Sequence, residues 1–132
     1  PAAMDYPSDE SAQGACPEGW HIPTWSEFNV VIEYLGGPEI AGGKLKATGN
    51  LSDGSGLWFA PNEGATNESG FTALPSGWEF IATGMEANFW SSTKNNEEKA
   101  YRLELSHDIE GINKYGEVSG MNEAISVRCI KD

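Results

Sequence analysis

The sequence predicts an α+β fold with a helix-rich N-terminal half followed by short antiparallel strands. Three observations carry this expectation. A capped, amphipathic segment spans residues 24–35, and two late segments, 100–106 and 124–130, alternate apolar and polar residues. The third is the 16 Gly and seven Pro, which favour short elements joined by turns over a helical bundle. A chain of 132 residues can hold one domain with a real hydrophobic core and is too short for two. Five Trp, five Phe and four Tyr within a 39% hydrophobic composition supply that core.

Residues 1–17 are polar and turn-rich and read as an irregular lead-in. Thr24 then stands as N-cap with Glu27 three residues later, a reciprocal capping box. Trp25, Phe28, Ile32 and Leu35 recur at spacings of three and four, while Glu27, Asn29 and Glu33 point elsewhere. Gly36-Gly37-Pro38 stops the helix, because Gly adopts the left-handed cap and Pro cannot continue the ladder. Residues 38–46 predict a second, short helix with Ala41 and Leu45 paired at i,i+4. Gly42 and Gly43 weaken it by about 1 kcal/mol each, and they would admit close packing against another element. Residues 48–69 show almost no periodicity, with Leu57, Trp58 and Phe59 as an apolar anchor. A loop this long in a compact domain is often functional.

Short strands are expected at 71–74, 78–81 and 88–93. In 100–106, Tyr101, Leu103 and Leu105 share one face and Arg102, Glu104 and Ser106 the other; in 124–130, Ile125, Val127 and Cys129 point inward. Neither an internal repeat nor a low-complexity tract is present.

Eight Lys and Arg against 20 Asp and Glu give a net charge of -12, which argues against nucleic acid and anionic membranes as partners. No apolar run approaches the roughly 18 residues of a membrane span. The opening Pro1-Ala2-Ala3-Met4 says nothing about targeting. Cys16 and Cys129 lie near opposite ends. A bridge between them would be worth about 4–5 kcal/mol in the chain-entropy model; the alternative is two buried thiols, and spacing alone leaves both open.

The residues offer little to catalysis. His21 and His107 are the only histidines and lack zinc-ligand spacing. Ser91 and Ser92 follow an aromatic strand segment without a nucleophile elbow. Calcium suits the loop better, since Asn50, Asp53, Asn62, Glu63, Asn67 and Glu68 supply hard oxygen ligands. The other reading of these six is an ordinary solvated loop. For ligand binding, aromatics set among polar turns stand out: Trp58, and Tyr115 beside Asn113, with Arg102, Glu104 and His107 on or near the polar strand face. Against this, Trp58 would simply pack into the core. Trp20, Trp25, Trp78 and Trp90 are core candidates first.

The string Cys16-Pro-Glu-Gly-Trp-His-Ile-Pro-Thr24 is specific. So are Ala41-Gly-Gly-Lys-Leu-Lys46, Asn67-Glu-Ser-Gly-Phe-Thr-Ala-Leu-Pro-Ser-Gly77, Phe89-Trp-Ser-Ser-Thr93 and Ser126-Val-Arg-Cys-Ile-Lys-Asp132. In this order they closely resemble the Fibrobacter succinogenes major paralogous domain family. The resemblance implies a C-type-lectin-like fold, related to formylglycine-generating-enzyme-like domains through the Trp20-x-x-Pro-Thr-x-x-Glu27 segment. It also implies a secreted or lipid-anchored surface protein of Bacteroidetes or Fibrobacteres, and a Cys16–Cys129 disulfide in an oxidising compartment. The oxidative chemistry of the related enzymes does not carry over, because both cysteines are expected to be structural. Longer relatives carry an N-terminal hairpin region ahead of the segment matching Ala2-Ala3-Met4, and this chain is expected to start after it; that part is either supplied by association with a separate N-terminal segment or unnecessary here. Neither the Glu-Pro-Asn nor the Trp-Asn-Asp signature of calcium-dependent sugar-binding lectins occurs. The functional expectation is a non-catalytic extracellular or cell-surface module binding a glycan or a surface protein; a structural unit of a surface assembly comes second and an enzyme third.

Overall fold

The computed structural model describes residues 14–79, 81–113, 116, 118–120 and 123–132. In chain order the elements are β1 (Trp20–His21), α1 (Trp25–Tyr34), α2 (Ala41–Leu45), β2 (Glu86–Lys94), β3 (Lys99–Ser106), β4 (Val118–Gly120) and β5 (Ile130–Lys131). This is an α+β fold with helices first and antiparallel strands after. β2, β3 and β4 form one antiparallel sheet, and β1 pairs with β5 in a second. A disulfide joins Cys16 to Cys129, 113 residues apart.

α1 begins as its capping box dictates. The Glu27 N–H donates to Thr24 Oγ1 and the Thr24 N–H to Glu27 Oε1, each at 3.0 Å. Its end is a Schellman closure: Gly36 and Gly37, at φ 108° and 101°, return their N–H groups to Glu33 and Ile32. Phe28, Ile32 and Leu35 are buried, and the stripe meets Leu45, Ala87, Phe89, Leu103 and Leu105. Gly42 and Gly43 in α2 are there for approach, since a Cβ at either would lie 2.1 Å from the carbonyl oxygen of Gly111 or Gly64. The helix is thereby wedged between two loops.

The register of β2 on β3 sets Asn88 opposite Glu104 and Trp90 opposite Arg102. Residues directly opposite share a face, so the sheet has an apolar side toward α1 and a second side where polar Asn88, Arg102 and Glu104 lie beside Trp90, itself buried in a smaller apolar cluster with Cys16, Ile22, Ala100 and Ile125. Arg102 and Glu104 were expected on this side as part of a ligand surface. It is covered instead: Arg102 is 7% exposed and Glu104 2%, and the Trp90 and Ser126 N–H groups knit the 126 segment to β2 through Ser126 and Asn88 carbonyls.

Several expected strands reduce to single bridges. Ala73 meets Lys46, Trp78 meets Ile81, and Ser126 meets Phe89. Pro75 and Gly77, together with left-handed residues at Thr72, Glu79 and Ala82, keep the two stretches between 71 and 82 too bent to extend a ladder. The loop over 48–69 contains neither helix nor strand.

That loop is held from inside by Lys46, which has no exposed surface. Its Nζ donates to the carbonyls of Glu63, Ser106 and Ile109 at 2.8, 2.9 and 3.1 Å. Three ammonium protons meet three oxygens from two separate stretches of chain. Burial pushes the Lys46 pKa down to about 8 against the pull of Glu63, Asp108 and Glu110, so the ammonium remains the main form at neutral pH.

Two stability outcomes follow from these contacts. Lys46→Met leaves buried carbonyls without donors and should cost about 3 kcal/mol or more in urea unfolding. Replacing both cysteines with Ser should cost about 4–5 kcal/mol if unfolded-chain entropy is the main effect of the bridge.

Candidate functional site

The six residues expected at a ligand surface are not one surface. Trp58 is fully buried; its indole N–H donates to the Ala73 carbonyl at 3.1 Å, and the Lys46 ammonium lies 5.5 Å from its ring centroid. It anchors the long loop in the core and offers no face for stacking, which corrects the expectation of an exposed ring. Arg102, Glu104 and Asn113 do come together, but as a buried network. The Arg102 guanidinium donates to Glu104, to Asn88 Oδ1 at 2.5 Å and to Ser119 Oγ at 2.5 Å, and the Asn113 amide donates to Glu104. A buried ion pair satisfied on both sides is spent on the fold and on register. His107 sits apart, with Nδ1 3.0 Å from the Ala60 carbonyl and its ring edge-on to Phe59. Tyr115 lies outside the described residues.

The calcium candidates serve several turns. Asn50 Oδ1 accepts from the Ser52 N–H and hydroxyl and from the Asp53 N–H. Asp53 accepts from the Ser55 hydroxyl and N–H, which hold its carboxyl below the ordinary range. Asn62, 6% exposed, donates to the carbonyls of Ala47 and Gly49. Asn67 closes a turn on Thr72. Glu68 lies 3.8 Å from Lys44, and Glu63 is exposed. Among the described residues, no three of His, Cys, Asp or Glu are grouped to hold a metal.

The open site lies where the chain's two end segments meet. The disulfide fixes Cys129 beside Cys16, β5 pairs antiparallel with β1, and Trp20 stands directly opposite Lys131. Their side chains therefore project from the same face. Between this clasp and α1 runs a groove of about 370 Å³, lined by Trp20, Val31, Phe71, Arg128, Ile130 and Lys131 among others. Trp20 is 40% exposed. The Arg128 guanidinium donates to the Phe71 carbonyl at 2.8 Å and lies 4.5 Å over the Phe71 ring, and that ring packs edge-on against buried Phe89. Arg128 is thus held rigidly on the core.

His21 draws off the neighbouring acids. Its Nδ1 is 2.7 Å from Asp132 Oδ1, and its Nε2 is 2.9 Å from Glu27 Oε1. The hydrogen bond with Asp132 raises the His21 pKa; burial works against it, and Glu27 adds to the rise. Burial would lift Glu27, but hydrogen bonds from Thr24 and His21 outweigh it and leave the pKa lowered. A second groove, about 360 Å³, is almost wholly apolar and is lined by half-exposed Leu51, Leu57 and Leu74 with Pro75, Thr83 and Gly84.

Trp20 and Arg128 were missed as site residues, although signals existed. The 124–130 alternation that points Cys129 inward points Arg128 outward. The expected disulfide would then set Arg128 and Lys131 beside the turn holding Trp20.

The His21 contacts have a definite pH signature. A His raised above 6.5 contributes stability that is full below that value and is lost as pH rises through its folded pKa. A Glu lowered below 4.5 contributes stability that is full above that value and is lost as pH falls through its folded pKa. The stability difference between the protein and His21→Gln should therefore peak between about pH 4.5 and 6.5 and shrink on both sides, measured by urea unfolding at pH 3, 5.5 and 8.5.

No curated protein and no solved structure gives a significant match to the chain. The Fibrobacter succinogenes major domain matches residues 4–131, and with nearly the whole length covered the chain belongs to that domain family.

Proposed function

We propose that this chain is a non-catalytic recognition module, displayed outside the cell, that holds a glycan in the groove beside Trp20. The observation that carries the reading is a half-exposed tryptophan on the wall of an open groove, braced by a disulfide and a two-strand clasp. An aromatic face with polar side chains around it suits the C–H face of a sugar ring. The groups of a chemical type able to serve catalysis have other work. His21 binds two carboxylates, the Lys46 ammonium meets three carbonyls, and the Ser91 and Ser92 hydroxyls donate to the Tyr101 and Ile22 carbonyls. The disulfide supports an oxidising compartment. The order of helices, antiparallel strands and a bridge from the first-helix region to the last strand supports kinship with C-type-lectin-like domains.

The apolar groove at Leu51, Leu57 and Leu74 favours a second reading, a contact surface in a surface assembly. A broad glycan array, probed in calcium and again in chelator, separates the two. We expect a saturable hit weakened at least about tenfold by Trp20→Ala. A blank array in both buffers sinks the glycan reading and leaves the assembly surface.

A further inference from the structure

The groove carries information about the ligand as well as its position. This chain has 20 acidic residues and eight basic ones, yet among the described residues the lining of the groove contains Arg128 and Lys131 and no carboxylate. Glu27, on α1, and Asp132, next to Lys131 in sequence, are both turned onto His21. Among the described residues, neither Arg128 nor Lys131 forms an ion pair. Arg128 uses one nitrogen on the Phe71 carbonyl. A guanidinium carries five N–H donors in a fixed fork, so most of its donor capacity remains available. A cation with no ion pair among the described residues, held rigidly on a core aromatic in so acidic a protein, is placed for an anion that arrives from outside.

We infer that the groove takes a saccharide unit bearing a carboxylate, a uronic acid. The carboxylate meets Arg128 and Lys131, and the apolar face of the ring lies on Trp20. The inference rests on the groove being a glycan site and adds the class of sugar. An acidic peptide fits less well. Strand addition needs a free sheet edge of useful length, and β1 and β5 have two residues each, already paired with one another.

The test is calorimetric titration of the full chain with two acidic probes and their neutral counterparts. A xylo-oligosaccharide carrying one glucuronate is compared with the parent xylo-oligosaccharide, and digalacturonate with its methyl ester; a short poly-glutamate serves as the peptide arm. We expect at least one acidic sugar to bind about tenfold or more tightly than its neutral counterpart, since a charge-assisted pair contributes on that scale. Arg128→Gln should remove that preference. Because Arg128 also braces Phe71, Lys131→Gln provides the second variant: it is exposed, should leave the melting temperature unchanged, and should reduce the preference several-fold. Trp20→Ala should weaken acidic and neutral sugars alike. Equal binding of acidic and neutral sugars overturns the uronate inference while leaving glycan recognition standing. Binding of neither acidic sugar, with other glycans bound on the array, overturns the inference alone; a blank array overturns both. Poly-glutamate binding as tight as the sugars, or a preference indifferent to both cation variants, also overturns it.

Discussion

The fold depends first on one buried ammonium. Much of this chain is irregular, and irregular chain leaves backbone carbonyls to be satisfied. Lys46 meets three of them, at Glu63, Ser106 and Ile109. It thereby closes the long loop and the exit of β3 onto the end of α2. The neighbouring backbone adds to the same knot: Gly43 donates to the Glu110 carbonyl and accepts from Thr66, and a Cβ at either α2 glycine would break the approach. The Lys46 ammonium lies 5.5 Å from the ring centroid of Trp58, whose burial completes the seal. Burying a charge without such partners would cost several kcal/mol. With three carbonyl oxygens around it, the charge organises loops that have no ladder of their own.

The second constraint is the clasp between the chain's end segments. β1 and β5 are two residues each, too short to hold as a ribbon. They persist because the disulfide, the Asp132 N–H to Gly19 carbonyl bond and the His21 contacts all act at the same place. The groove is a consequence of this closure. α1 supplies one wall, the clasp the other, and Phe71 with Arg128 the end. Its side chains are thus fixed by elements far apart in sequence, and Phe71 seats the end of the groove on the core.

How much of this was legible in the sequence varies with the range of the interaction. Local chemistry was readable: Thr24 and Glu27 fix the start of α1, Gly36 and Gly37 its end, and alternation marks β3. Interactions across the fold were not. Arg102 and Glu104 fall on the polar side of an alternating strand, and nothing local says that Asn88, Ser119 and the 126 segment will cover them. Trp58 sits among polar turn residues like an exposed ring, yet a loop without periodicity needs one large anchor, and this is it. Trp20 reads as core because tryptophan usually is. Only the pairing with Lys131, set by a bridge 113 residues long in sequence, turns it outward. The loop acids look like cation ligands by type, but Asn50, Asp53 and Asn67 are consumed by their own turns, as short polar side chains commonly are.

Charge then shapes what the groove can accept. At physiological ionic strength the screening length is about 8 Å, so Arg128 and Lys131 act on an anion within contact range, while the excess of carboxylates acts on whatever extends beyond. A polyanion laid across this surface would gain one favourable contact and meet repulsion on either side. A mostly neutral chain with a single carboxylate gains the contact without that opposition. On the proposed reading the acidic surface and the cationic groove would work as a pair: attraction at one point would select the charged unit, and repulsion around it would reject ligands that carry too many. Specificity of this kind would come from the contrast between groove and surround, with Glu27 and Asp132 held in hydrogen bonds to His21.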